Sequence, residues 1–199
     1  MRVIAGKYRS RLLKSLKGNA LRPTSDRLRE TLFNVLGPNV AGSRFLDIFA
    51  GTGAVGIEAL SRGASEVLFI ENHAPAAVLI RRNLESLAIA NGAQVLPLDA
   101  LRALEKIARK HKPTDAPFDF VFLDPPYAEK DQYDRVLGFL GAAPFLTTGS
   151  LVIAEHRRNF ELPQRIGRLL QTRILRQGDA ALSFYQHQAA EPEEIPEAA

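Results

Sequence analysis

Asp124-Pro125-Pro126-Tyr127 follows directly on the apolar run Phe118-Asp119-Phe120-Val121-Phe122-Leu123. A carboxylate, two prolines and an aromatic ring at a strand end can hold a planar amine so that its nitrogen attacks an electrophile. An exocyclic base amine is a poor nucleophile because its lone pair is delocalised into the ring. To react, it needs acceptors for both N–H bonds while it turns pyramidal. Asp124 supplies one acceptor and a backbone carbonyl of the turn supplies the other. Pro125 and Pro126 fix φ and donate no N–H, so the turn is stiff and presents mainly acceptors. Tyr127 offers a face on which a flat base can stack. The same four residues also read as an ordinary proline-rich turn closing a buried strand.

Upstream, Phe45-Leu46-Asp47-Ile48-Phe49-Ala50-Gly51-Thr52-Gly53-Ala54-Val55-Gly56 carries an apolar strand into a glycine-rich turn. A helix is expected from about Ala54 to Arg62. Gly51, Gly53 and Gly56 spell GxGxxG, a pattern that gives a tight turn and close backbone approach to a ligand. In a dinucleotide site a pyrophosphate would sit on the helix N-terminus. Here Asp47 lies four residues before the first glycine, facing the same loop. Its carboxylate would repel a pyrophosphate and suits a ligand carrying an ammonium. S-adenosylmethionine has that ammonium, a sulfonium and no phosphate.

Two further acids fall at strand ends. Val67-Leu68-Phe69-Ile70 ends in Glu71, eighteen positions after Gly53, where an acid can bind ribose hydroxyls. Gln94-Val95-Leu96-Pro97-Leu98 ends in Asp99, which can accept from an adenine amine. Asp99 read alone fits a helix cap before Leu101, Leu104, Ile107 and Ala108. For Glu71 the ligand role is favoured, because Asn72 or His73 can serve as a cap.

Together these residues resemble the class I S-adenosylmethionine-dependent methyltransferases, in the branch that modifies amino groups. Arg2-Val3-Ile4-Ala5-Gly6-Lys7-Tyr8-Arg9, Leu21-Arg22-Pro23-Thr24-Ser25-Asp26-Arg27, the Asp47–Gly53 run and Gly56-Ile57-Glu58-Ala59-Leu60-Ser61-Arg62-Gly63-Ala64 narrow the likeness. They are similar to the RsmD family of bacterial 16S rRNA guanine-N2 methyltransferases, from residue 2 to about Tyr185. The resemblance implies S-adenosyl-L-methionine as cofactor, S-adenosyl-L-homocysteine as product and no metal. It implies cofactor contacts from Asp47, Phe49, Gly51, Gly53, Glu71, Asn72, Asp99 and Ala100. Target-base contacts would come from Asp124, Pro125, Pro126 and Tyr127. The partner implied is 16S rRNA, within a small ribosomal subunit or an assembly intermediate, met by a monomeric enzyme. One departure is visible: Gly178-Asp179-Ala180 lacks the third-position hydroxyl common in the family. It lies far in sequence from the catalytic set.

The expected mechanism is an in-line displacement on a guanine splayed from its stack. Asp124 and the Pro125 carbonyl hold its 2-amino group, Tyr127 stacks on it, and Asp47 with the glycine loop fixes the cofactor. Positioning and desolvation supply most of the rate. Three other readings share parts of the pattern. A DNA adenine methyltransferase shares the tetrapeptide, an NAD-dependent oxidoreductase shares GxGxxG, and a non-catalytic RNA-binding assembly factor would share the basic N-terminal segment.

That segment is the main charge feature. Arg2, Lys7, Arg9, Arg11, Lys14, Lys17, Arg22, Arg27 and Arg29 crowd the first thirty positions against Asp26 and Glu30, and the net charge is +4. Cations that neutralise phosphates give salt-sensitive affinity for RNA; a solvated charged face is the alternative. Lys7, Arg9, Arg22, Thr24 and Arg27 are the candidate RNA contacts. Acid gathers in the tail at Glu191, Glu193, Glu194 and Glu197. With 46% apolar and 24% charged residues, the 199-residue chain is expected to form one soluble domain. It has no cysteine, no secretory h-region and no run long enough to span a membrane, so a cytoplasmic protein is expected.

The organisation follows from these elements. Residues 1–40 are a basic extension, with two β-prone pieces around Gly6 and Gly18 as a hairpin laid over the active site. A helix then carries Leu28, Leu32 and Val35 and ends at Gly37-Pro38. Residues 41–188 are the methyltransferase domain, and 189–199 a disordered acidic tail. Strands near 45–49, 67–71, 94–98, 118–123 and 150–154 alternate with helices near 54–62, 74–90, 100–111 and 130–140. A hairpin at Thr172–Leu175 and Leu182–Gln186 completes a mostly parallel, seven-stranded Rossmann-like α/β sheet with helices on its flanks.

Overall fold

The computed structural model describes residues 1–15, 25–126 and 131–189. Ser25 opens α1 (Asp26–Leu36): its Oγ accepts from the Leu28 N–H at 3.1 Å, a side-chain cap of the helix start. Leu28, Leu32, Phe33 and Leu36 form the buried stripe of this helix. Gly37 stops it at φ 60°, and a 3-10 turn over Gly37–Val40 leads to the sheet.

From there strand and helix alternate: β1 (Arg44–Ile48), α2 (Ala54–Ser61), β2 (Glu66–Ile70), α3 (Ala74–Ser86), β3 (Ala93–Leu96), α4 (Ala100–Lys110), β4 (Phe120–Leu123), α5 (Asp131–Leu140) and β5 (Leu151–Arg157). Three antiparallel strands follow, β6 (Arg165–Ile166), β7 (Leu169–Gln177) and β8 (Ala180–His187). The sheet order is β3-β2-β1-β4-β5-β8-β7-β6. Strands β1 to β5 are parallel; β1, β2, β4 and β5 are buried along nearly their whole length, as their apolar runs require, while β3 at the edge is partly exposed. Among the described residues the sheet has eight strands, because the two-residue β6 extends the expected seven at the outer edge. The terminal hairpin is longer than expected and carries a bulge between Gln171 and Arg173.

Alternation along the strands builds two cores. Phe45, Phe69, Phe120 and Phe122 point to the α1, α2 and α3 side, where Val3, Leu13, Leu32, Phe33, Ile80 and Leu84 join them. Leu46, Ile48, Val121 and Leu123 point to the α4 and α5 side with Leu104, Tyr133, Val136 and Phe145. Helix α3 ends at Ser86, earlier than expected, because Ala88 turns to φ 54° and breaks the helical path.

The described part of the N-terminal extension, residues 1–15, closes through one antiparallel bridge, Arg2 to Leu12. It lies against α1, α2 and α3, bonded to Arg29, Glu58, Ser61 and Asn83. The piece around Gly18 and the tail from 190 lie outside the described residues. Among the described residues no helix is long and apolar enough to cross a membrane.

His156 on β5 and His187 on β8 are both buried. His156 contacts the Ser183 hydroxyl at 2.8 Å and the Arg157 carbonyl at 2.9 Å, whereas neither ring nitrogen of His187 has a partner among the described residues. Burial lowers both pKa values. Both rings therefore take up a proton less readily in the fold than in the unfolded chain, which gains protons as pH falls through about 6.5. Stability is then full above that value and is lost below it, by at most about 1.4 kcal/mol per pH unit for each ring. Urea midpoints should fall between pH 7.5 and 5.5, and His187→Leu should reduce the drop. An equal drop in both proteins would contradict a neutral buried His187.

Candidate active site

Strand β1 releases the chain at Ile48 into a loop of left-handed residues: Phe49 at φ 61°, Gly51 at 54° and Gly53 at 77°. A phenylalanine there is strained, which is uncommon outside functional loops. Gly53 caps α2 with no side chain of its own. Gly56 serves a different need. A Cβ on it would meet Phe69 ring carbons at 2.3 and 2.8 Å and Val67 Cγ1 at 2.8 Å, so its missing side chain lets α2 lie directly on β2.

Asp47 projects to the α2 side in register with Phe69 and Phe122. It is 1% exposed, and its Oδ2 accepts the Gly56 N–H at 2.9 Å. Burial pushes its pKa up to about 7; the Gly56 bond opposes the rise and the charge of Glu71 adds to it. Glu71, 7% exposed, follows β2. Its Oε2 accepts from Gly51 N at 2.7 Å and its Oε1 from His73 N at 2.8 Å. It therefore ties the glycine loop to the start of α3, and each oxygen keeps a second lone pair for a hydroxyl. Asp99 is the N-cap of α4: its Oδ1 accepts from Leu101 N at 3.1 Å and Arg102 N at 3.3 Å. Ala100 behind it is buried, and Asn72 beside Glu71 is exposed.

The Asp124-Pro125-Pro126 turn leaves β4 on the same level. Ile48 pairs with Ile70 on one side and Leu123 on the other, so Phe49, Glu71 and Asp124 each stand one residue beyond a common row. The Asp124 N–H reaches back to the Ile48 carbonyl at 3.4 Å. Asp124 is half-buried, Pro125 buried and Pro126 exposed, while Tyr127 lies outside the described residues. Strand order runs outward from β1 and β4 in opposite directions, which makes this the crevice where open parallel sheets bind ligands.

The structure thus brings Asp47, Phe49, Gly51, Gly53, Glu71, Asp99, Ala100, Asp124 and Pro125 to one edge. Lys7 and Arg9 do not join it. Both are exposed on the N-terminal arm, where Lys7 N donates to the Ser61 carbonyl at 2.7 Å, at the far end of α2 and about 12 Å of helix from the loop. Arg27 is exposed on α1; Arg22 and Thr24 lie outside the described residues.

Asn83 was not singled out by sequence. Fully buried on α3, it accepts from Lys14 N at 2.9 Å and donates to the Lys14 carbonyl at 3.1 Å and to the Thr52 carbonyl at 3.0 Å. Its signal was positional: a polar residue on the stripe of Ile80, Leu84 and Leu87. A cavity of about 580 Å³ lined by Arg44, Glu66, Leu96, Lys110 and Phe118 lies at the opposite, amino-terminal edge of the sheet and takes no part in this site.

The donor set distinguishes between ligands. No Lys or Arg occurs from Phe49 to Ser61, and two carboxylates, Asp47 and Glu71, lie behind the loop. Such a cradle fits a cationic nucleoside and disfavours a pyrophosphate. A family model described as Conserved hypothetical protein 95 matches residues 1–186. The chain belongs to this family. Among the family's relatives of this chain is Ribosomal RNA small subunit methyltransferase D of Escherichia coli strain K12, 34% identical over 189 residues, 95% of this chain and 91% of that protein. YlbH of Bacillus subtilis strain 168 is 38% identical over 185 residues, 93% of this chain and 98% of its own. The solved structure of yhhF from Escherichia coli superposes with a TM-score of 0.80 at 33% identity, covering 96% of this chain and 99% of that one. The RsmD resemblance and the class I methyltransferase fold read from sequence are borne out.

Gly56→Ala tests the packing beneath the loop. The added methyl has no room, so a loss of about 1–3 kcal/mol is expected in urea unfolding. Gly138→Ala on α5, where a Cβ meets nothing within 4 Å, should instead gain about 0.5–1 kcal/mol. Equal effects would mean that helix propensity, not contact with Phe69, governs Gly56.

Proposed function

We propose that this protein transfers a methyl group from S-adenosylmethionine to the exocyclic 2-amino group of a guanine in small-subunit ribosomal RNA. The observation that carries the reading is the row of acids, Asp47, Glu71 and Asp124, around a glycine loop free of cations at the β1/β4 crevice. Family membership and an rRNA methyltransferase relative at 34% identity support it.

When bound, the cofactor supplies an electrophilic methyl on its sulfonium sulfur. Asp47 and the loop backbone hold the methionine end, Glu71 takes the ribose hydroxyls, and Asp99 accepts from the adenine amine. Asp47 with a pKa near 7 would ionise fully on meeting an ammonium, because the opposite charge favours the carboxylate. Asp124 accepts one N–H of the target amine and the Pro125 carbonyl the other, which directs the nitrogen lone pair outward. Tyr127 stacks on the base. The amine proton leaves to Asp124 or to water.

Two outcomes check these roles. Asp124→Ala should abolish transfer while cofactor affinity stays nearly intact. The assay uses methyl-labelled S-adenosylmethionine and small ribosomal subunits from a strain lacking this protein; the label should appear in N2-methylguanosine. An active Asp124→Ala enzyme would end the account, and label in adenine would move the substrate to another base. For Asp47, calorimetry below pH 7 should show proton release on cofactor binding. Asp47→Asn should abolish that release and weaken binding about tenfold or more, in keeping with a lost charge-assisted contact.

A further inference from the structure

Two sequence segments singled out above, Arg2–Arg9 and Gly56–Ala64, form one joint. Glu58 is fully buried on α2, and its two oxygens accept the Ile4 N–H at 2.8 Å and the Ala5 N–H at 3.0 Å. Ser61 Oγ donates to the Ala5 carbonyl at 2.5 Å and accepts the Tyr8 N–H at 3.0 Å, while Lys7 N reaches the Ser61 carbonyl. Buried Arg29 of α1 stands 3.8 Å from Glu58 Oε2 and donates to the Arg2 carbonyl at 2.5 Å. Arg62 pairs with Glu58 Oε1 at 2.8 Å. A Cβ on Gly6 would fall 1.8 Å from the Ser61 carbonyl oxygen, so only glycine seats here.

The arm so held has five cations in its first fifteen residues, Arg2, Lys7, Arg9, Arg11 and Lys14, all exposed, and no acid. It also reaches the glycine loop: Asn83 links Lys14 to Thr52, and Thr52 Oγ1 lies 3.6 Å from Met1 Sδ. We infer that Glu58 and Ser61 are positioning residues for the RNA substrate: they hold the cationic arm at a fixed distance from the transfer edge without touching RNA themselves. Buried charge of this kind contributes little net stability, and fixing a phosphate-binding arm to the helix that follows the cofactor loop sets the register between backbone and target base.

The inference rests on the proposed RNA substrate, so the experiment separates the two. Wild-type, Gly6→Ala and Ser61→Ala proteins are compared for amide exchange at Ile4, Ala5, Lys7 and Tyr8, for cofactor Kd, and for kcat and KM on small subunits. Gly6→Ala unseats the arm, and Ser61→Ala removes two of its bonds without stranding a charge. Both should exchange faster in the arm and raise KM for RNA, by about tenfold for Gly6→Ala as phosphate contacts are lost. Cofactor Kd and kcat should stay within about twofold, a margin below the 1.4 kcal/mol of a tenfold change. A freed arm with unchanged KM, or a cofactor Kd that worsens in step with KM, would overturn the positioning role alone. A wild-type protein without activity on any RNA would overturn the function and the positioning role together.

Discussion

A carboxylate buried under the first turn of a helix is the constraint on which this molecule depends. Asp47 on β1 accepts the Gly56 N–H of α2 at 2.9 Å with 1% of its surface exposed. The positive end of the helix and the donated N–H favour its charge, whereas burial opposes it, and the balance leaves its pKa at about 7. That contact fixes where α2 begins and so shapes the loop before it. The loop is closed from the other side by Glu71, which takes the Gly51 and His73 N–H groups. A strand, a helix and a loop are thus held by two side chains of the same sign, a combination that would be costly unless a cation joined them.

The sheet sets Glu71 and Asp124 at a common level, two residues above Asp47. Parallel register aligns Ile48 with Ile70 and Leu123, and whatever follows each strand emerges at the same height. Phe45, Phe69 and Phe122 beneath are fully or almost fully buried, so the platform resists displacement, as close-packed interiors do. Gly56 is the complement of that platform: it brings α2 close enough to β2 for Asp47 to reach it.

Much of this was legible in the sequence because the signals are local. Short apolar runs ending at or near Asp47, Glu71, Asp99 and Asp124 marked the strands and their carboxyl ends, and helix–strand alternation marked the parallel order. The capping role of Asp99 was legible too. Boundaries were less so: Ala88 ends α3 by a backbone torsion that its methyl side chain does not announce. The N-terminal segment read as strand-like, yet much of its hydrogen bonding goes to Glu58 and Ser61 instead of a neighbouring strand, leaving a single bridge. The burial of Arg29, counted among the basic residues of the extension, and of Glu58 and Asn83 was not legible, because charged and amide side chains in helices ordinarily face water. Their burial depends on partners as distant as 54 and 69 positions along the chain.

The joint between arm and helix has one property with evolutionary weight. Glu58 and Ser61 grip the arm through main-chain N–H and C=O groups alone, at Ile4, Ala5, Lys7 and Tyr8. A socket that reads only backbone is indifferent to the side chains it carries. Apart from Gly6, the outward residues of the arm can be exchanged without altering how it docks, and the catalytic edge need not change with them. The fold thus separates the outward chemistry of the arm from the acid-lined edge, and a new surface can be grafted onto an unchanged core.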